Sequence, residues 1–231
     1  MGTDRLESQL AFVLEIDRLK TVLRRTTLVD RSRHENSAEH SWHIALMAVL
    51  LAEHAAEEVD LGRVVRMLLV HDVVEIDAGD TFCYDAEANA GKEERERRAA
   101  ERIFGLLPAD QAAELRELWD EFEARETAEA RYANAVDRLQ PMLHNLATEG
   151  CSWQRHEVSV EQVIERNSPI GDGAPGLWEH ARARLEEAVE KGWLRRREAT
   201  KASAADVRRK LAELGIEDED ARRAVSRSRS R

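Results

Sequence analysis

Length, composition and charge exclude several classes at once. The chain has 231 residues, 42% of them hydrophobic, with 35 Lys and Arg against 46 Asp and Glu and a net charge of −11. No apolar run approaches the ~18 residues a membrane span needs, and residues 10–23 are amphipathic at helical spacing and do not form a secretory leader. A cytoplasmic chain with one main domain and no membrane partner is expected. Cys83 and Cys151 are too few and too far apart for a disulfide framework.

Charge is unevenly distributed. Residues 195–231 hold 12 Lys/Arg and 7 Asp/Glu, net +5, which leaves 23 basic and 39 acidic residues, net −16, on 1–194. The division predicts a main domain over 1–194 and a basic tail over 195–231, the tail partly helical or disordered. An acidic body is poorly suited to tracking a phosphate backbone, so long nucleic acid is not an expected partner.

An all-α fold is predicted. Gly and Pro cluster at 168–176, while Ala, Leu, Glu and Arg dominate elsewhere and no segment alternates with period two. Helices are expected at 6–23, 37–58, 61–75, 92–106, 109–124, 126–148, 160–165 and 177–191. Asn36 and Glu39 fit a capping box at the start of the second. His40 then shares a helix face with Ile44, Met47 and Leu51, so its imidazole points inward. The third helix carries His71 and Glu75 in line with Val64 and Leu68, with Asp72 about 100° further round. Asp137 precedes Gln140-Pro141, where the missing proline amide predicts a kink.

Each of these residues has a plain alternative: a core histidine bonded to a carbonyl, a surface ion pair for Asp137, a capping glutamate for Glu75. Together they give two imidazoles and two carboxylates from separate segments. Buried unpaired, such groups cost several kcal/mol each, so they need mutual pairing or a cation. The mixed N/O set suits one divalent ion, Mn²⁺, Co²⁺, Mg²⁺, Fe²⁺ or Ni²⁺, better than structural zinc. His144 reads as a structural histidine. The five tryptophans read as core or interface residues, and Phe82 and Tyr84 as the lip of a pocket or part of the core.

The order His40, His71-Asp72, Asp137 resembles the HD-domain metal-dependent phosphohydrolases. The stretches Glu35-Asn36-Ser37-Ala38-Glu39-His40-Ser41, His71-Asp72-Val73-Val74-Glu75-Ile76-Asp77-Ala78-Gly79-Asp80 and Asp137-Arg138-Leu139-Gln140-Pro141 are similar to the YfbR-like 5′-deoxynucleotidase branch. The resemblance spans about residues 6–190 and leaves the tail aside. It implies that His40, His71, Asp72 and Asp137 ligate the metal, that Glu75 orients or deprotonates the attacking water, and that Asp80 is a second acid near the leaving oxygen. It also makes Arg24 the phosphate-side arginine, with Lys20 one turn earlier on the same face. Arg33 is a further phosphate candidate, or else a solvated loop residue. The implied reaction is metal-dependent hydrolysis of small-molecule (deoxy)nucleoside 5′-monophosphates to nucleoside and phosphate, by a homodimer. The alternatives are another small phosphate ester, a nucleoside triphosphate, or a nucleotide-binding module without turnover.

Overall fold

Strong helix formers and scarce breakers make most of the chain helical, as its composition predicts. The computed structural model describes residues 2–85 and 89–197; the helical stretches expected beyond 197 lie outside the described residues. A first unit comprises Met1–Arg196, so Arg195 and Arg196, grouped above with the tail, belong to the body. Arg195 donates to the Glu157 carbonyl and accepts from the Val160 amide.

Helix α1 (Gly2–Ile16) gives way to a 3₁₀ turn (Asp17–Thr21), and the chain then extends into β1 (Leu23–Thr27), antiparallel to β2 (His34–Asn36) across an irregular register. Helix α2 (Ser37–Leu50) follows directly. Asn36 accepts from the Glu39 amide at 3.0 Å and Glu39 from the Asn36 amide at 2.7 Å, completing the expected capping box. Next come α3 (Leu61–Val70), a 3₁₀ stretch (His71–Val74) and the short α4 (Glu75–Ala78). Then follow α5 (Lys92–Phe104), α6 (Ala109–Ala124) and α7 (Ala128–Ala147). The remaining helices are α8 (Cys151–Arg155), α9 (Val160–Asn167), α10 (Ile170–Gly173) and α11 (Pro175–Glu190).

Two expectations change. The helix drawn to residue 23 stops at Ile16, so Arg24 sits on a strand. The third helix is not one α-helix to Glu75: it tightens to 3₁₀ geometry over His71–Val74, the stretch that carries His71 and Asp72. Helix α7 runs unbroken through Pro141.

Two apolar clusters flank this tightened segment. Val64, Met67 and Leu68 pack with Ile44, Tyr132, Val136 and Leu139 in one. Val70, Val73 and Val74 pack with Phe12, Ile103 and Phe104 in the other. His71, Asp72 and Glu75 are therefore fixed by burial on both sides, which suits a site that must hold its geometry. Helix α10 packs directly on the backbone of α7: a methyl group on Gly173 would stand 2.1 Å from the Arg131 carbonyl oxygen. Gly173→Ala is therefore expected to cost about 2 kcal/mol, read in thermal denaturation as a fall in Tm of roughly 5 °C.

Candidate metal centre and cleft

His40 comes from the first turn of α2, His71 and Asp72 from the 3₁₀ stretch, and Asp137 from the middle of α7. Residues up to 97 positions apart thus converge. His40 Nε2 lies 3.0 Å from Asp137 Oδ1 and 4.0 Å from Asp72 Oδ2; His71 Nε2 lies 3.0 Å from Asp72 Oδ1 and 3.7 Å from Asp137 Oδ1. His40 is fully buried, His71 and Asp72 nearly so.

The surrounding groups orient the imidazoles. His71 Nδ1 is 2.8 Å from the Leu68 carbonyl, to which it donates, leaving the Nε2 lone pair directed at the centre. His40 Nδ1 faces Glu35 Oε2 at 3.5 Å, and the same oxygen is 3.6 Å from Arg24 Nε. Arg24 also donates to Asp72 Oδ2 at 2.7 Å.

The donor set fits a divalent cation. His71 Nε2 is buried and, although close to Asp72, has no aligned hydrogen-bond partner. Burial opposes the charge on all three of the following groups, yet their neighbours prevail. His71 and Arg24 bring Asp72 down to about 2. The hydrogen bond with His40 and the nearness of His71 hold Asp137 well below the carboxylate range. The negative charge of Asp72, with Asp137, lifts His71 well above its ordinary value. The raised proton affinity of His71 reflects the demand of the paired carboxylates for positive charge, which is the charge a metal ion would bring.

A cleft of about 150 Å³ opens on this centre, lined among others by Asp72, Asp137, Glu75, Asp80 and Arg24. Ser37 donates to Glu75 Oε2 at 2.6 Å. Burial, reinforced by the charge of Asp72, pushes the Glu75 carboxyl up to about 8. Burial likewise raises Asp80, against the pull of Arg24. Glu75 thus has the proton affinity of a group that exchanges protons near neutral pH.

Two candidates are corrected. Lys20 lies on the solvent side of its 3₁₀ turn, ion-paired with Asp17, and does not line the cleft, because the helix expected to align it with Arg24 has already ended. Arg33 is exposed and held bidentately by Glu39 at 2.6 and 2.8 Å, also outside the cleft. Arg24 does reach it, from β1. Phe82 and Tyr84 line the cleft, their rings edge to face at 5.3 Å. His144 is buried and does not line the cleft; its Nε2 is 3.2 Å from Gln140 Nε2.

Sequence reasoning overlooked Glu35, Ser37, Arg138, Arg166, Asn145 and Asn167, and assigned Trp153 to the core or an interface. Glu35 and Ser37 flank the cap of α2 and Arg138 follows Asp137, so adjacency to the motifs was the available signal; Trp153 and Arg166 reach the cleft from later helices and gave none.

This geometry agrees with the comparisons. The HD domain family matches residues 16–178, and the chain belongs to it. It is 35% identical to the protein named 5′-deoxynucleotidase HDDC2 of Homo sapiens over 59% of this chain and 66% of that one, so it spans slightly less than two thirds of that relative. The namesake from Xenopus laevis is 31% identical over 62% of this chain and 70% of its own. A crystal structure from Magnetospirillum magnetotacticum MS-1, described as a predicted metal-dependent phosphohydrolase, is 59% identical, with a TM-score of 0.79 over 83% of this chain and 99% of that one. A Pyrococcus furiosus protein, 20% identical with a TM-score of 0.55, shares the fold.

Proposed function

We propose that the chain is a divalent-metal-dependent phosphomonoesterase that hydrolyses nucleoside 5′-monophosphates, deoxy forms foremost, to nucleoside and phosphate. The observation that carries this reading is the convergence of two imidazoles and two carboxylates on a cleft that also holds Glu75, Asp80 and Arg24. The names of the human and Xenopus relatives support the substrate class.

His40, His71, Asp72 and Asp137 would hold the ion. When bound, it polarises a phosphoryl oxygen and lowers the pKa of water. Glu75, fixed by Ser37, accepts the proton of the attacking water. Asp80, whose proton affinity is raised by burial, donates to the leaving oxygen. Arg24, fixed by Asp72 and Glu35, presents its guanidinium to the phosphate dianion.

A cytoplasmic setting fits the two free thiols, Cys83 and Cys151, and no helix among the described residues is long and apolar enough to cross a membrane. The outer face of α2 exposes Trp42, Leu46, Val49 and Leu50 together, a surface suited to pairing two copies of the chain.

Phosphate release from a panel of deoxy- and ribonucleoside monophosphates, triphosphates and sugar phosphates, with Mn²⁺, Co²⁺ or Mg²⁺ resupplied, tests the reading. Metal-dependent release is expected foremost from the deoxynucleoside monophosphates. Silence on every monophosphate while triphosphates or sugar phosphates are cleaved would overturn it.

A further inference from the structure

The cleft contains more positive charge than one ester phosphate uses. Arg24 is neutralised by Asp72 and Glu35, and Lys92 by Glu96 at 3.2 Å. Arg138 and Arg166 also line the cleft, and neither pairs with a carboxylate among the described residues. Arg138 is only 6% exposed and its Nε is buried without a partner. Its Nη1 donates to the Arg166 backbone carbonyl, which ties the Arg138 side chain to α9 beside Arg166, but a carbonyl does not cancel a charge. Cys83 and Arg166 line the same cleft. Arg25 adds a third cleft-lining guanidinium from β1, exposed at the rim.

Holding guanidinium charge in a largely buried position without a counter-ion is costly, and a ligand anion removes that cost. The planar fork of arginine matches phosphate and carboxylate oxygens and offers donors only. Asn145 and Asn167 add neutral polar groups in the same wall, and Trp153 a flat apolar face. The phosphate cleaved at the His/Asp centre already has Arg24.

We propose that Arg138 and Arg166 form a second oxyanion subsite, so that a phosphate monoester carrying a second phosphate or carboxylate group binds more tightly than the same ester without it. The cleavage half of this statement rests on the phosphomonoesterase reading; the binding half does not.

The first arm of the test is calorimetric titration of inorganic phosphate into the metal-stripped full chain. One phosphate per chain is expected, weakened at least tenfold by Arg166→Gln and retained in His71→Ala. Absence of binding, or binding indifferent to Arg166→Gln, would overturn the subsite. The second arm compares 2′-deoxyadenosine 3′,5′-bisphosphate with the 5′-monophosphate, and 3-phosphoglycerate with glycerol 3-phosphate, in the metal-loaded enzyme. A KM at least tenfold lower for the doubly charged member of one pair is expected, the pair identifying phosphate or carboxylate, with the ratio falling towards one in Arg166→Gln. Equal KM values in both pairs contradict a second anion while leaving monoesterase activity standing. If no substrate is cleaved, the phosphomonoesterase reading fails and the calorimetric arm still decides whether the subsite exists.

Discussion

Glu75→Gln is expected to lower phosphate release by about 10²–10⁴-fold, the range typical of removing a general base, while the divalent ion remains bound. The glutamine keeps the size of the side chain and still offers an oxygen to the Ser37 hydroxyl, which donates to Glu75 at 2.6 Å. What it loses is the ability to take up a proton. Burial and the charge of Asp72 place that uptake at about 8 in the metal-free chain, so the carboxyl is poised for exchange rather than permanently ionised. Turnover and Mn²⁺ affinity must be measured on the same preparation. A variant that turns over within tenfold of the parent would remove Glu75 from the chemistry; one that loses the metal would make it a part of the centre instead.

His71→Ala is expected to abolish metal binding and, with it, hydrolysis. In the proposed centre His71 would supply one of two imidazole nitrogens, and its orientation is set by the 2.8 Å contact with the Leu68 carbonyl. The loss in affinity should exceed the 10–100-fold typical of removing a group that only supports a ligand. Thermal denaturation provides an independent readout. Saturating Mn²⁺ at about 100 times its Kd stabilises a folded chain by roughly 2.7 kcal/mol, and that stabilisation should vanish in the variant. Asp72→Ala is a less direct probe, because it also strips Arg24 of its closest acceptor and leaves a buried cation. An unchanged metal-induced rise in Tm for His71→Ala would contradict the placement of this residue at the centre.

The sequence was most informative where a local rule and a burial rule agreed. The capping box fixes where α2 begins, and the spacing to Ile44 and Met47 then turns His40 inward. His71-Asp72 was legible because it ends an apolar run flanked by core residues. The same periodicity misled at the N-terminus: Leu19 continues the apolar spacing and is indeed buried, but on a 3₁₀ turn, and the strands that follow have five and three residues, too short to display alternation. Lys20 was placed by the phase of a helix that had already ended, whereas Arg24 reaches the cleft from an extended segment. Arg33 sits in the loop between the strands, where Glu39 captures it.

The far wall of the cleft was invisible for a different reason. Arg138, Trp153 and Arg166 lie on α7, α8 and α9, and what brings them together is the packing of those helices, including the bond from Arg138 to the Arg166 carbonyl. No spacing within one helix encodes such a meeting. Metal-binding chemistry leaves a mark on local sequence because its ligands are rare, buried and polar. A cleft wall built from common residues leaves none, which is why the candidate centre was legible in the sequence and the arginine pair was not.

The measurement closest to the central claim is phosphate release from a deoxynucleoside 5′-monophosphate as Mn²⁺ is titrated into the metal-stripped chain. The geometry of His40, His71, Asp72 and Asp137 predicts no release before addition and a rise that saturates at one equivalent per chain. Full activity in a preparation shown by elemental analysis to hold no divalent metal would contradict it.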